Sequence, residues 1–87
     1  MSKTEIFKEV KDILCRELGI AQDEAKISLE SSLKDDLLAD ELDVVEFIIS
    51  SEEQFGIAIP DCDVENLRTV GDYVDYFEKK LSESHVG

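Results

Sequence analysis

DDLLADELDVVEFIISSEEQFG, residues 35–56, decides how the rest of the chain is read. Asp40 is a suitable helix N-cap, because its side-chain oxygen can accept from an open amide of the first turn. Glu41 and Asp43 then stand at the positive end of the helix dipole, and Gly56 supplies the stop. The stretch therefore predicts a helix from Glu41 to about Phe55. Winding it at about 100° per residue gathers Val44, Phe47, Ile48 and Phe55 on one side, the expected core face. Leu42, Val45 and Ile49 fall on the other side, among Asp43, Glu46, Glu52 and Glu53. One helix is thus expected to carry a buried apolar face and an exposed apolar strip edged with carboxylates. A helix with a purely structural role gains nothing from exposing such a strip. An apolar centre inside a charged rim is the anatomy of a protein docking site, where the rim steers and the centre supplies contact energy. The alternative is that Leu42, Val45 or Ile49 packs under the first loop or a neighbouring helix.

Toward the N-terminus, Ser2-Lys3-Thr4-Glu5 has the spacing of a capping box, and Ile6, Phe7, Val10, Ile13, Leu14 and Leu18 recur on one helical face. Gly19 is placed to end this first helix, with Ile20 folding back as its hydrophobic contact. The connection that follows, about twenty residues, is longer than most, but Ile27, Leu29, Leu33 and Leu37 are spaced through it as anchors. This predicts an ordered loop lying across a helical core. Toward the C-terminus, Pro60-Asp61 marks a turn into a short helical segment through about Leu67. Thr69 then caps a last helix with Val70, Tyr73, Val74, Phe77 and Leu81 on one face. Residues 82–87 read as a flexible tail, with the lone His85 in solvent. The expected architecture is all-α: a four-helix bundle over residues 1–81 with a long first loop and a short third helix.

Eighty-seven residues suffice for one domain with a small core. Acids outnumber bases 22 to 9, and the imbalance is local: from Asp35 to Leu67 there are 11 Asp and Glu and no Lys or Arg. Such a block argues against binding a phosphate backbone, which needs cationic groups, and favours basic protein partners. A solvated face that keeps a small protein soluble is the plainer reading of the same run. Cys15 and Cys62 lack metal-ligand spacing and read as reduced thiols. No apolar leader and no 18-residue apolar stretch is present, so a soluble, cytoplasmic protein without a membrane partner is expected; the acidic block argues against a nucleic-acid partner, and a monomer is expected. Asp61, Asp63 and Glu65 alternate like the early ligands of a calcium loop. That loop requires glycine at its sixth position and glutamate at its twelfth, where this chain has Asn66 and Asp72, so no specific metal site is expected. No nucleophile is paired with a base, which argues against an enzyme.

Beyond Asp40-Glu41-Leu42-Asp43, the chain carries Val45-Glu46, Glu52-Glu53-Gln54-Phe55, Ile59-Pro60-Asp61 and Thr69-Val70-Gly71-Asp72, in that order. With these motifs it resembles a type II acyl carrier protein over nearly its whole length. The resemblance implies the acyl-carrier type of four-helix bundle, whose second helix is recognised by synthases, acyltransferases and phosphopantetheinyl transferase in fatty-acid or polyketide-type biosynthesis. It implies that Asp40, Asp43, Glu46, Glu52 and Glu53 meet basic partner residues while Leu42, Val45 and Ile49 fill an apolar patch. It also implies a 4′-phosphopantetheine arm on a serine, and here Glu41 stands at that position. A carboxyl cannot form the stable phosphodiester, so no arm is expected at Glu41 and no cofactor for this chain as it stands. Ser31, Ser32, Ser50 and Ser51 lie nearby but outside the motif. Leu38 is a second departure, since the family usually has glycine there. The resemblance leaves two readings: an acyl-chain carrier lineage altered at residue 41, or a non-carrier adaptor or regulator that keeps the fold and docking surface.

Overall fold

A computed structural model describes residues 2–19 and 27–84. Among the described residues there are four helices, in the order α1 (Lys3–Leu18), α2 (Glu41–Phe55), α3 (Asp61–Val64) and α4 (Val70–Ser84). Each long helix starts where the sequence places a reciprocal cap. For α1, the Ser2 Oγ accepts from the Glu5 amide at 3.2 Å and the Glu5 carboxylate accepts from the Ser2 amide at 3.0 Å. For α4, Thr69 and Asp72 exchange the same pair of bonds at 3.1 Å each. Asp72 also accepts from the Arg68 amide, and these backbone bonds, Thr69's first, hold its carboxyl below the usual aspartate range. Gly19 and Gly56 end α1 and α2 in the left-handed region, at φ 67° and 66°.

The core forms where α1 packs against both α2 and α4. Ile6, Val10, Ile13 and Leu14 enter from α1, and Val70, Tyr73, Val74 and Phe77 from α4, all buried. Phe47 of α2 stands at the centre, edge-on to Tyr73 with ring centroids 5.1 Å apart. Between α1 and α2, the Ser50 hydroxyl donates to Glu17 at 2.6 Å and the Gln54 amide donates to Glu9. Cys15 is half-buried and Cys62 exposed, and no disulfide joins them. Among the described residues, no helix is long and apolar enough to cross a membrane.

Three expectations need correction. The third helix stops at Val64 rather than near Leu67, because the amides of Asn66 and Leu67 bond three residues back, to Asp63 and Val64, and tighten the chain into turns. The last helix runs to Ser84, past the expected start of a tail at 82, since neither glycine nor proline interrupts Ser82-Glu83-Ser84; His85 lies outside the described residues, as does Ile20. Leu29 does not anchor the first loop with its side chain, which is 40% exposed, although Ile27 and Leu33 are buried and Leu37 packs against the core. Its backbone is used instead. Leu29, Ser31 and Leu33 run antiparallel to Arg68, Val70 and Gly71, bonded through Leu33 N to Arg68 O, Val70 N to Ser31 O and Gly71 N to Leu29 O at 2.8–3.1 Å. Gly71 permits this approach, because a Cβ there would lie 2.9 Å from the Leu29 carbonyl oxygen.

Candidate functional site

The N-terminal junction of α2 is held from both sides. Asp40 Oδ1 accepts from the Asp43 amide at 2.8 Å, and Asp43 Oδ2 accepts from the Asp40 amide at 3.2 Å. Just before the cap, the buried Ala39 donates its amide to the Leu33 carbonyl at 2.8 Å, which ties the junction to the first loop. Glu41, the first residue of the helix, is exposed, so whatever chemistry it offers faces solvent.

The two faces expected of α2 are both present. Phe47, Ile48 and Phe55 are buried and Val44 is half-buried. On the opposite side Leu42, Val45 and Ile49 are 65%, 51% and 48% exposed, so none packs under the first loop or a neighbouring helix. Asp40, Glu46 and Glu53 are exposed beside them. Asp43 and Glu52 are only half-buried rim members with structural duties: Asp43 closes the capping box, and a Glu52 carboxylate oxygen accepts from the Ile59 amide at 2.9 Å, bracing the turn after the helix. The helical period located the strip; the double use of Glu52 depends on a bond seven residues away and has no local signal.

Leu38, the second departure from the resembled family, has an unusual backbone. Its φ of 57° makes it the one described residue other than glycine in the left-handed region, and its side chain is 80% exposed. A branched side chain in that conformation costs about 1–2 kcal/mol relative to an ordinary backbone state, which accounts physically for a preference for glycine here.

The serines near this junction are otherwise engaged. Ser51 is fully buried and donates to the Phe47 carbonyl at 2.8 Å, a bond that satisfies a hydroxyl in the core, while Ser50 faces α1. Ser31 is buried with its hydroxyl accepting from the Ser28 amide, and Ser32 organises the turn to Asp36. A cavity of about 320 Å³ opens beside the start of α2, with Leu33, Val44, Val64, Leu67 and Tyr73 as apolar lining and Lys34 and Arg68 among its polar groups. Asp63, in the acidic series near α3, accepts from the Tyr76 hydroxyl at 2.7 Å and so ties α3 to α4. Among the described residues, no three His, Cys, Asp or Glu are grouped to hold a metal ion.

Comparison with known proteins gives one consistent answer. A family profile described as "Phosphopantetheine attachment site" matches residues 8–77. The acyl carrier protein of Thermotoga maritima is 46% identical over 80 residues, covering 92% of this chain and 96% of its own. That of Bdellovibrio bacteriovorus is 48% identical over 75 residues, covering 86% and 94%. A solved structure of the acyl carrier protein from Enterococcus faecalis superposes with a TM-score of 0.75 at 34% identity, covering 92% of this chain and 99% of that one.

Proposed function

This chain belongs to the acyl carrier protein family, whose members carry acyl chains in biosynthesis, and on that premise we propose that it acts in fatty-acid or related polyketide-type metabolism by docking, through α2, onto synthases and transferases. The contact consists of Leu42, Val45 and Ile49 at the centre and Asp40, Asp43, Glu46, Glu52 and Glu53 around them. The observation that carries this reading is the row of three apolar side chains about half or more exposed on a helix whose other face packs into the core through Phe47, Ile48 and Phe55. The charge of the block from Asp35 to Leu67 selects basic partner surfaces and speeds encounter with them. The protein works as a cytoplasmic monomer, and we assign it no catalytic residue.

In the same reading Glu41 occupies the attachment position, and the residues present do not fit the prosthetic group of the family. Attachment needs a hydroxyl to attack the pyrophosphate of coenzyme A and leave a stable phosphodiester. A carboxylate attacking phosphorus would give an acyl phosphate, which water cleaves. With Ser50 and Ser51 committed to Glu17 and the Phe47 carbonyl, no neighbouring hydroxyl replaces the missing one. The protein therefore meets the partners of a carrier without an arm at residue 41. A non-carrier adaptor or regulator is the second reading, favoured by Leu38, since two unusual residues then lie at one junction.

Calorimetric titration of a purified acyl-chain synthase from the same organism tests the docking. Wild type is expected to bind, more weakly as salt rises, and I49E to bind at least about tenfold more weakly through loss of one apolar contact. Equal affinity for the two proteins would remove the strip from the account.

A further inference from the structure

The strongest unassigned feature is Leu38. Its side chain is the most exposed of the large hydrophobic residues described, so core packing does not explain it, and its φ of 57° means that local backbone preference opposes it. A residue that stands against both its conformational preference and its hydrophobicity points to a use outside the free molecule. Its position suggests that use. Leu38 lies two residues before the Asp40 cap and four before Leu42, outside the helix, at the end of α2 from which the exposed Leu42, Val45 and Ile49 run. The junction itself is firm, because Ala39 is buried and bonded to Leu33 and Asp40 is locked to Asp43. Leu38 is therefore presented from a fixed backbone, a property of interface anchors, whose ordering cost on binding is small.

We propose that Leu38 is a specificity anchor that extends the apolar strip of α2 beyond the head of the helix and inserts into a small apolar pocket, ringed by Lys and Arg, on a partner protein. The ring follows from charge complementarity: Asp35, Asp36, Asp40 and Glu41 flank Leu38 on both sides, and no cation occurs between residues 35 and 67. The inference rests on the docking reading above and deepens it, by naming the residue that selects among partners with similar basic surfaces.

The test titrates the same synthase with L38M, L38N, L38G and, as a reference for docking, I49E. Asparagine and glycine accept the left-handed backbone without the apolar side chain, so both should fold and melt no lower than wild type. Affinity is expected to fall about tenfold for L38N and L38G, as for removal of a buried leucine contact, and to be retained by L38M. If I49E loses affinity while L38N and L38G match wild type, Leu38 is no part of the contact and the inference fails alone. Tighter binding by L38G would also overturn it, showing that Leu38 obstructs the partner. If wild type does not bind, or I49E binds like wild type, the docking reading itself fails.

Discussion

Truncating Phe47 and Ile49 separately to alanine weighs the two faces of α2 against each other. Phe47 is fully buried, with Tyr73 edge-on at 5.1 Å and Phe77 at 6.3 Å between ring centroids. Removing a phenyl ring from such a site costs about 3–5 kcal/mol, through lost transfer energy and the cavity left behind. A domain of this length has roughly 5–10 kcal/mol of stability in all, so F47A should retain only a marginal fold. Ile49 is 48% exposed. Its truncation removes three carbons worth about 0.8 kcal/mol each when fully buried, of which about half is realised, and alanine returns a few tenths through its helix propensity. The net cost is about 1 kcal/mol or less. Urea unfolding followed by circular dichroism at 222 nm measures both. At similar slopes, the F47A midpoint should fall about four times as far as that of I49A. Comparable losses for the two variants would mean that Ile49 is a core residue and the strip is not available to a partner.

G71A should be destabilised by about 1–2 kcal/mol in the same assay despite a helix-propensity gain of about 1, because the new methyl meets the Leu29 carbonyl at 2.9 Å while the Gly71 amide holds that oxygen in place; increased stability would mean that the first loop is not bonded there. At high pH two tyrosines contribute to the loss of stability. Tyr73 is pushed up to about 12 by burial and then by the charge of Asp72, and Tyr76 is raised by burial and then by its bond to Asp63. Both folded values exceed the unfolded one near 10, so their contribution is fully present below about pH 10 and is lost as pH rises above it, for Tyr73 toward about 12. Tyrosinate absorbance should therefore appear together with loss of helical ellipticity, whereas titration near pH 10 with the helices intact would contradict their placement. Melting temperature should rise from low to moderate salt as repulsion among 22 acids is screened, and a flat or falling response would show that this repulsion is insignificant.

Features governed by local chemistry were legible in the sequence. The caps at Ser2, Asp40 and Thr69, the glycine stops at 19 and 56, and the two faces of α2 all follow from residues within a turn or two of one another. What was not legible depends on meetings of distant segments. The pairing of Leu29, Ser31 and Leu33 with Arg68, Val70 and Gly71 is a backbone contact and leaves no hydrophobic pattern, which is why Leu29 was expected to anchor by its side chain. The burial of Ser51 was hidden because serine reads as polar, although its hydroxyl is satisfied within its own helix. At the site, the strip was visible from the helical period. For Leu38 the resemblance marked only a departure from glycine; its positive φ and exposure were not legible, because leucine itself carries no sequence signal for that backbone state.

The separation of docking from attachment is tested most directly by intact mass after incubation with a phosphopantetheinyl transferase and coenzyme A. Wild type is predicted to keep its mass, while E41S, which restores a hydroxyl at an exposed helix start, gains one arm if the chain derives from a carrier and none if it is an adaptor. Addition of the arm to wild type, mapped by fragmentation to Glu41 or to any neighbouring serine, would contradict the account.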